Sequence, residues 1–345
     1  MAGRHQHFLP RFLQRGFLDT TAPGEAIWLH RRDRPVFRTG IAVAGVEVDF
    51  YEDANGNSVD EQITEAEKSF SNLVSKLRQQ TSGSVPTEEI STFLVHLEVR
   101  SRNLREAFLD SGEYLVKRLT EFIDSGEPFV QLLERSIKND PSILSQAISE
   151  NLAKQGLPAS ALEPVLELVK PHISVFIESL RPTFPAFASK LRAVLPEVFA
   201  DAARRGHVKV LTDSVAPKAR IDNLMKLSYS IVDGPDHHFV LGDSAVFYFT
   251  SGKRPYKPFL DKDDLVTAAI LPLSHKRVLI GTNGDTPNLA SIRGAAAHCS
   301  LEFFVASHTS KDLEQLRTEI GQTAGLLTDA EMDEIIGELI SGKNN

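Results

Sequence analysis

The sequence predicts an α+β fold, with a mixed or antiparallel sheet built from both ends of the chain and a large helical insertion between them. Three observations carry this. Segments rich in β-branched and aromatic residues occur near both ends. After Ser58 the apolar period lengthens from two to between three and four. From about Gly126 to Gly206, helical patterns follow one another, broken by Pro141, Pro158, Pro171, Pro182 and Pro185.

Taken in order, HFLPRFLQRGF predicts a short amphipathic helix or turn in which Phe8, Phe12, Leu13 and Phe17 share a face. AIWLHRR and VFRTGIAVAGVEVDFYED read as strands separated by Asp33, Arg34 and Pro35. Ile63, Phe70, Leu73, Val74 and Leu77 mark an amphipathic helix with an acidic start. TSGSVPTEE is a loop, Thr87 is read as a cap, and one long helix is expected over ISTFLVHLEVRSRNLREAFLDS. After Gly206, LSYSIVDG, HHFVLGDSAVFYF, TAAILPLS, RVLIGT and LEFFVAS read as strands, and TPNLASIRGAAAHCS as a helix. Two further helices, capped by Ser310 and Thr328, end the chain. The expected organisation is an α+β core from residues 1–125 and 207–345, with 126–206 as the helical insertion.

Composition narrows the function classes. The chain has 345 residues, 41% hydrophobic and 24% charged, as in an ordinary globular protein. Its single cysteine, Cys299, excludes an internal disulfide framework and fits a reducing, cytoplasmic compartment. No apolar run reaches the 18 or so residues of a membrane span, and arginines with Pro10 interrupt the N-terminal apolar residues. A net charge of −8 disfavours high-affinity scaffolding on nucleic acid, while leaving nucleic acid or a nucleotide open as a substrate. The sequence carries no phosphate-binding Gly-Lys-Ser/Thr loop, no dinucleotide fingerprint, no zinc-finger cysteines and no Gly-x-Ser-x-Gly elbow.

Candidate chemistry lies at four places. Gly242, Asp243 and Ser244 interrupt an apolar strand-like run. Asp243 and Ser244 are either turn residues bonded to nearby amides, or a carboxylate and a substrate-binding hydroxyl at a strand end. His5 and His7 share a face only in an extended segment, where His7 can act as a base or a ligand. Glu61 and Glu65, one helical turn apart, form either an ordinary acidic helix start or a hard-cation pair. Glu98, Arg102 and Arg105 can occupy one helix face, holding either an anionic group or an ion-pair network. Cys299 reads as a small buried hydrophobe.

The order of HQHFLPRFLQRGF, IWLHRR, FYED, HLEVRSRNLRE, FVLGDSAVF and ILPLSHKRVLI resembles a bacterial domain-of-unknown-function family, number four-two-three-eight. Its members share a His-x-x-Pro-x-x-x-Leu-x-x-Phe-like opening, a Ser/Gly-Asp-x-x-Val segment and a Pro-Leu-Ser strand. Here those positions are His7, Pro10 (one step off the family's spacing), Leu13, Phe17, Asp243, Val246, Pro272, Leu273 and Ser274. The resemblance covers roughly residues 5–110 and 225–306. It implies no mechanism, but it groups His7, the arginine helix and Asp243 as one composite site.

The expected function is therefore a metal-dependent, nuclease-like hydrolase acting on a phosphate-containing substrate, in the manner of a toxin or defence effector. His7, Asp243 and Glu98 would be catalytic. Asp243, Glu65 and Glu61 would hold a divalent cation, Mg or Mn, while Arg102, Arg105 and Ser244 would bind substrate. The alternative is a non-enzymatic module that docks a protein partner through the Leu-, Val- and Phe-rich helical middle.

Overall fold

The computed structural model describes residues 4–52, 56, 58–80, 85–261, 264–325 and 327–341. The chain opens with β1 (His5–His7), α1 (Arg11–Gln14), β2 (Ala26–Arg31), β3 (Phe37–Gly40) and β4 (Val46–Val48). Helices follow: α2 (Asp60–Gln79), α3 (Thr87–Val99), α4 (Arg102–Asp124), α5 (Glu127–Asn139), α6 (Ser142–Lys154), α7 (Leu162–Val169), α8 (Ile173–Leu180), α9 (Phe184–Asp213) and α10 (Lys218–Leu224). Then come β5 (Ser228–Asp233), β6 (Leu241–Gly242), β7 (Phe247–Thr250), β8 (Tyr256–Lys257), β9 (Val266–Ser274) and β10 (Arg277–Thr282). The end comprises α11 (Leu289–His298), β11 (Phe303–Ala306), α12 (Lys311–Leu316) and α13 (Asp329–Ser341).

The fold is α+β, and every strand pair among the described residues is antiparallel. The strands divide into three sheets: β1-β4, β5-β10-β9-β7-β8 and β3-β2-β11-β6. The last joins the two ends of the chain, with Trp28 opposite Ala306 and Leu241 opposite Val305. Contacts divide the chain into two compact units. The first comprises Met1–Asp110 and Ala200–Leu326, and the second Ser111–Phe199 and Leu327–Asn345.

In the first unit, Phe8, Leu9, Phe12, Leu13 and Phe17 are all buried in one core with the apolar face of α2 and the strands β9 and β10. Each buried Leu or Phe contributes about 1.5–3 kcal/mol, which seats the otherwise short α1. Nine of the thirteen residues of α3 are buried, so this helix runs through the core and carries its polar groups with it. The second unit has its own smaller core of Ile123, Val130, Ile177, Phe184 and Ala188.

Local details depart from the sequence reading at two points. The long helix expected over 90–111 is two helices, because the turn at Arg100 and Ser101 ends α3, and Ser101 Oγ accepts from Leu104 N at 3.4 Å. Glu98 and Arg102 therefore do not share one helix face. Thr87 makes no capping bond, since α3 starts directly after the extended Pro86. Ser310 and Thr328 do cap: Ser310 accepts from Leu313 N, and Thr328 and Glu331 form a reciprocal capping box.

Candidate functional site

The extended β1 delivers His7, and Pro10 then opens α1, whose first residue is Arg11. The 3-10 turn Arg15–Phe17 follows and supplies Arg15. Opposite stands α2. Its residues Thr64, Glu67, Lys68 and Ser71 lie on one face, because three- and four-residue steps return to the same side of a helix. With Phe12 these side chains enclose a pocket of about 360 Å³.

The pocket is cationic. Arg11 and Arg15 share Glu25, at 3.6 and 2.6 Å, and Lys68 reaches Glu65 at 2.5 Å. These pairs are solvent-exposed, and exposed pairs contribute about 0–1 kcal/mol each, so an incoming anion displaces them at little cost. The half-buried His7 has its pKa lowered by burial and by Arg11, against the opposing pull of Glu67. It is therefore mainly neutral near pH 7. Its buried Nδ1 has no hydrogen-bond partner among the described residues.

Beneath His7 lies a buried charge. Arg100, 1% exposed, donates from Nε to Tyr51 Oη at 2.9 Å, from Nη1 to Glu67 Oε1 at 2.5 Å and from Nη2 to the His7 carbonyl at 2.5 Å. Tyr51 Oη also donates to the His7 carbonyl, at 3.0 Å. A buried guanidinium without such partners would be prohibitively costly, so Arg100 fixes β1 and the Glu67 turn of α2 relative to one another. A second arginine fixes α1. Arg78 donates to the carbonyls of Phe12 (2.9 Å), Leu13 (2.9 Å) and Leu273 (2.7 Å), and burial lowers its pKa to about 10.

The residues singled out from the sequence are distributed as follows. His7 lines the pocket. Glu61 and Glu65 stand exposed on α2. Glu98 is buried, and its carboxylate accepts from Arg220, from Leu260 N at 3.0 Å and from Tyr248 Oη at 3.1 Å. Burial raises its pKa against the pull of Arg220. Arg102 pairs with Glu302 at 3.0 Å, and Arg105 pairs with Glu47 at 2.5 Å while covering the Phe50 ring at 4.5 Å. Asp243 is buried, and its oxygens accept from the amides of Leu301 (2.7 Å), Glu302 (2.7 Å) and Phe303 (3.1 Å). Burial raises its pKa to about 6, the three amides pulling the other way. Ser244 Oγ is buried without a partner among the described residues.

Among the described residues, the partners of Asp243 are the Leu301, Glu302 and Phe303 amides and those of Glu98 are Arg220, Tyr248 and the Leu260 amide, and none of these lines the His7 pocket. No group of three or more His, Cys, Asp or Glu side chains among the described residues is placed to hold a metal ion. The pocket residues that sequence reasoning passed over are Arg11, Arg15, Thr64, Glu67, Lys68 and Ser71, with Arg100 below. A signal was present: Arg11 and Arg15 follow His7 at intervals of four, within the segment that opens the family pattern.

Comparison with known proteins places the chain in a family. The sequence model of a family described as "Protein of unknown function (DUF4238)" covers residues 5–293. Neither the curated proteins nor the solved structures yield a match.

Proposed function

The chain belongs to the DUF4238 family, proteins of unknown function, and from that premise we propose that its activity resides in the His7 pocket, as a hydrolase of a phosphate-containing substrate. One observation carries the reading: His7, three cations and the hydroxyl-bearing Thr64 and Ser71 line a single space of about 360 Å³. That volume falls in the range of small-molecule sites, so a nucleotide or a nucleic-acid end fits better than a long duplex.

The division of labour follows from charge. Arg11, Arg15 and Lys68 exchange their exposed carboxylate partners for phosphate oxygens, the arginines in bidentate fashion. Neutral His7 takes a proton from the water that attacks phosphorus, and the bond to the leaving oxygen breaks. Arg100 acts as a positioning residue through the His7 carbonyl and Glu67. Asp243, with both oxygens taken up by amides, and Glu61 and Glu65, exposed on α2, stand outside this scheme.

The test combines binding with turnover. Pyrophosphate, free nucleotides, single- and double-stranded DNA, RNA and tRNA are offered to the full chain with magnesium, manganese or chelator, since phosphates bring hard cations with them. Wild type should bind and hydrolyse at least one. Arg11→Ala with Arg15→Ala should weaken binding by about tenfold or more. His7→Gln should retain binding and lose about 10²–10⁴-fold in rate. Absence of binding to every probe sinks the reading.

A second reading has an observation of its own. In the second unit Leu168 and Val175 are 71% and 70% exposed, and Phe129, Leu133, Phe184 and Phe187 line a groove of about 390 Å³. Such surfaces serve partner docking. Association that survives loss of the His7 pocket and is abolished by Leu168→Asp would favour it.

A further inference from the structure

Four histidines from four separate segments gather in the first unit: His30 on β2, His237 after β5, His275 between β9 and β10, and His308 after β11. The His237 ring stacks on His275 with centroids 4.8 Å apart and 24° between planes, and lies 4.8 Å from His308. The fully buried His30 stacks on Phe304 at 4.8 Å and lies beside the His308 backbone. His237 has φ of 59°, a left-handed backbone that a non-glycine residue keeps only when its surroundings impose it.

What imposes it is visible atom by atom. The His237 amide donates to His275 Nδ1 at 3.2 Å, and His237 Nδ1 meets Ser307 Oγ at 2.7 Å. On either side, Gly234 N donates to Lys276 O at 2.8 Å and Phe239 N to His275 O at 2.9 Å. Because His275 Nδ1 accepts an amide proton, it carries none, and the neutral ring holds its proton on Nε2. A second proton must go to Nδ1, which sets donor against donor and breaks this bond.

We infer that the cluster is an acid-operated latch: protonation of His275 releases the segment 234–240 from the turn between β9 and β10. The charged neighbours agree in balance. Lys276 and the His237 and His308 rings oppose a charge on His275, and Asp236 favours it. Arg293 opposes a charge on His308, and beside His30 Glu314 favours one while Arg317 opposes it. Burial lowers the pKa of both His275 and His308.

Hydrogen exchange of the full chain, corrected for intrinsic rates, tests this from about pH 7.5 to about pH 4.5. Amides of 234–240 should lose protection as pH falls below about 6.5, where the released imidazole takes up its proton. The loss should run at up to about tenfold per pH unit until the closed form itself titrates, while β9 and β10 keep their protection. His275→Asn, whose side-chain oxygen accepts without titrating, should hold the segment closed across the range. Should that variant fail to fold, nitrogen chemical shifts of wild-type His275 decide, because the latch requires the proton on Nε2 at neutral pH. A proton on Nδ1, or unchanged protection of 234–240 down to pH 4.5, overturns it.

Discussion

Asp243 sits among apolar neighbours because three amides need it. Leu301, Glu302 and Phe303 turn their N–H groups inward where the chain enters β11, and a carboxylate accepts from several donors at once. Gly242 beside it lets this happen: a Cβ there would lie 2.4 Å from Ser300 Oγ and 3.0 Å from Ala296 O. Asp243→Ala would leave three amides without that acceptor, the buried Phe303 N–H and the half-buried Leu301 and Glu302 N–H groups, each costing about 1–3 kcal/mol before relaxation. We expect a loss of about 3–5 kcal/mol, read as a lower Tm and denaturation midpoint. An unchanged Tm with lost turnover would place Asp243 at the chemistry instead. Of the candidate side chains, His7 could be found from its spacing. Arg11 and Arg15 carried the same spacing signal, but that Arg102 and Arg105 are tied up in ion pairs was not legible, because their partners Glu302 and Glu47 lie far away in sequence.

At the scale of elements, the pocket depends on how closely α1 and its following turn lie against the hairpin of β9 and β10. His275 N donates to Gly16 O at 3.0 Å, and a Cβ on Gly16 would stand 2.2 Å from the Leu273 carbonyl oxygen and 2.6 Å from Arg78 Nη2. Neither can yield freely, since the carbonyl belongs to a central strand and the guanidinium holds three acceptors. Gly16→Ala should therefore cost about 3 kcal/mol through overpacking and shift Arg11 and Arg15 off their positions. Chemical denaturation and ligand titration of the variant check both effects. The elements themselves were largely legible: β-branched runs marked β2, β5, β9 and β10, and the spacing from Ile63 to Leu77 marked α2. The break at Arg100 was not. Ser101 bonds locally to the first turn of α4, but the burial of Arg100 against Tyr51, Glu67 and the His7 carbonyl is encoded by no local propensity. The separation of the strands into three sheets was equally out of reach, being set by long-range pairing.

For the whole molecule, buried histidines govern the response to acid. Burial lowers His30 and His207 to about 4 and His96 to about 3, and lowers His7, His275 and His308 as well. The unfolded chain takes up these protons near pH 6.5, the folded chain only lower, so stability falls as pH drops below about 6.5. Asp243 runs the other way: its raised pKa of about 6 favours the folded state as pH falls from 6 toward 3.8. Asp243 offsets about 3 kcal/mol at most, and Glu98, also raised by burial, acts in the same direction. Three deeply buried histidines oppose them with about 3 kcal/mol each, and His7, His275 and His308 add to that side. We expect the denaturation midpoint to decline steadily from pH 6.5 to pH 4. A flat profile over that range would mean that the histidines charge without unfolding anything.

The β3-β2-β11-β6 sheet also bears on how the protein is made. Arg31, at the end of β2, and Glu302, just before β11, form an ion pair across a separation of 271 residues. A ribosome adding about 5–20 residues per second takes roughly 15–55 s to cover that distance. Throughout that interval β2 has an unpaired edge carrying Ile27, Trp28 and Leu29, open to neighbouring nascent chains. The sheet that joins the two ends of the chain is thus completed only late in translation, and the newborn protein depends on whatever shields that edge until β11 emerges.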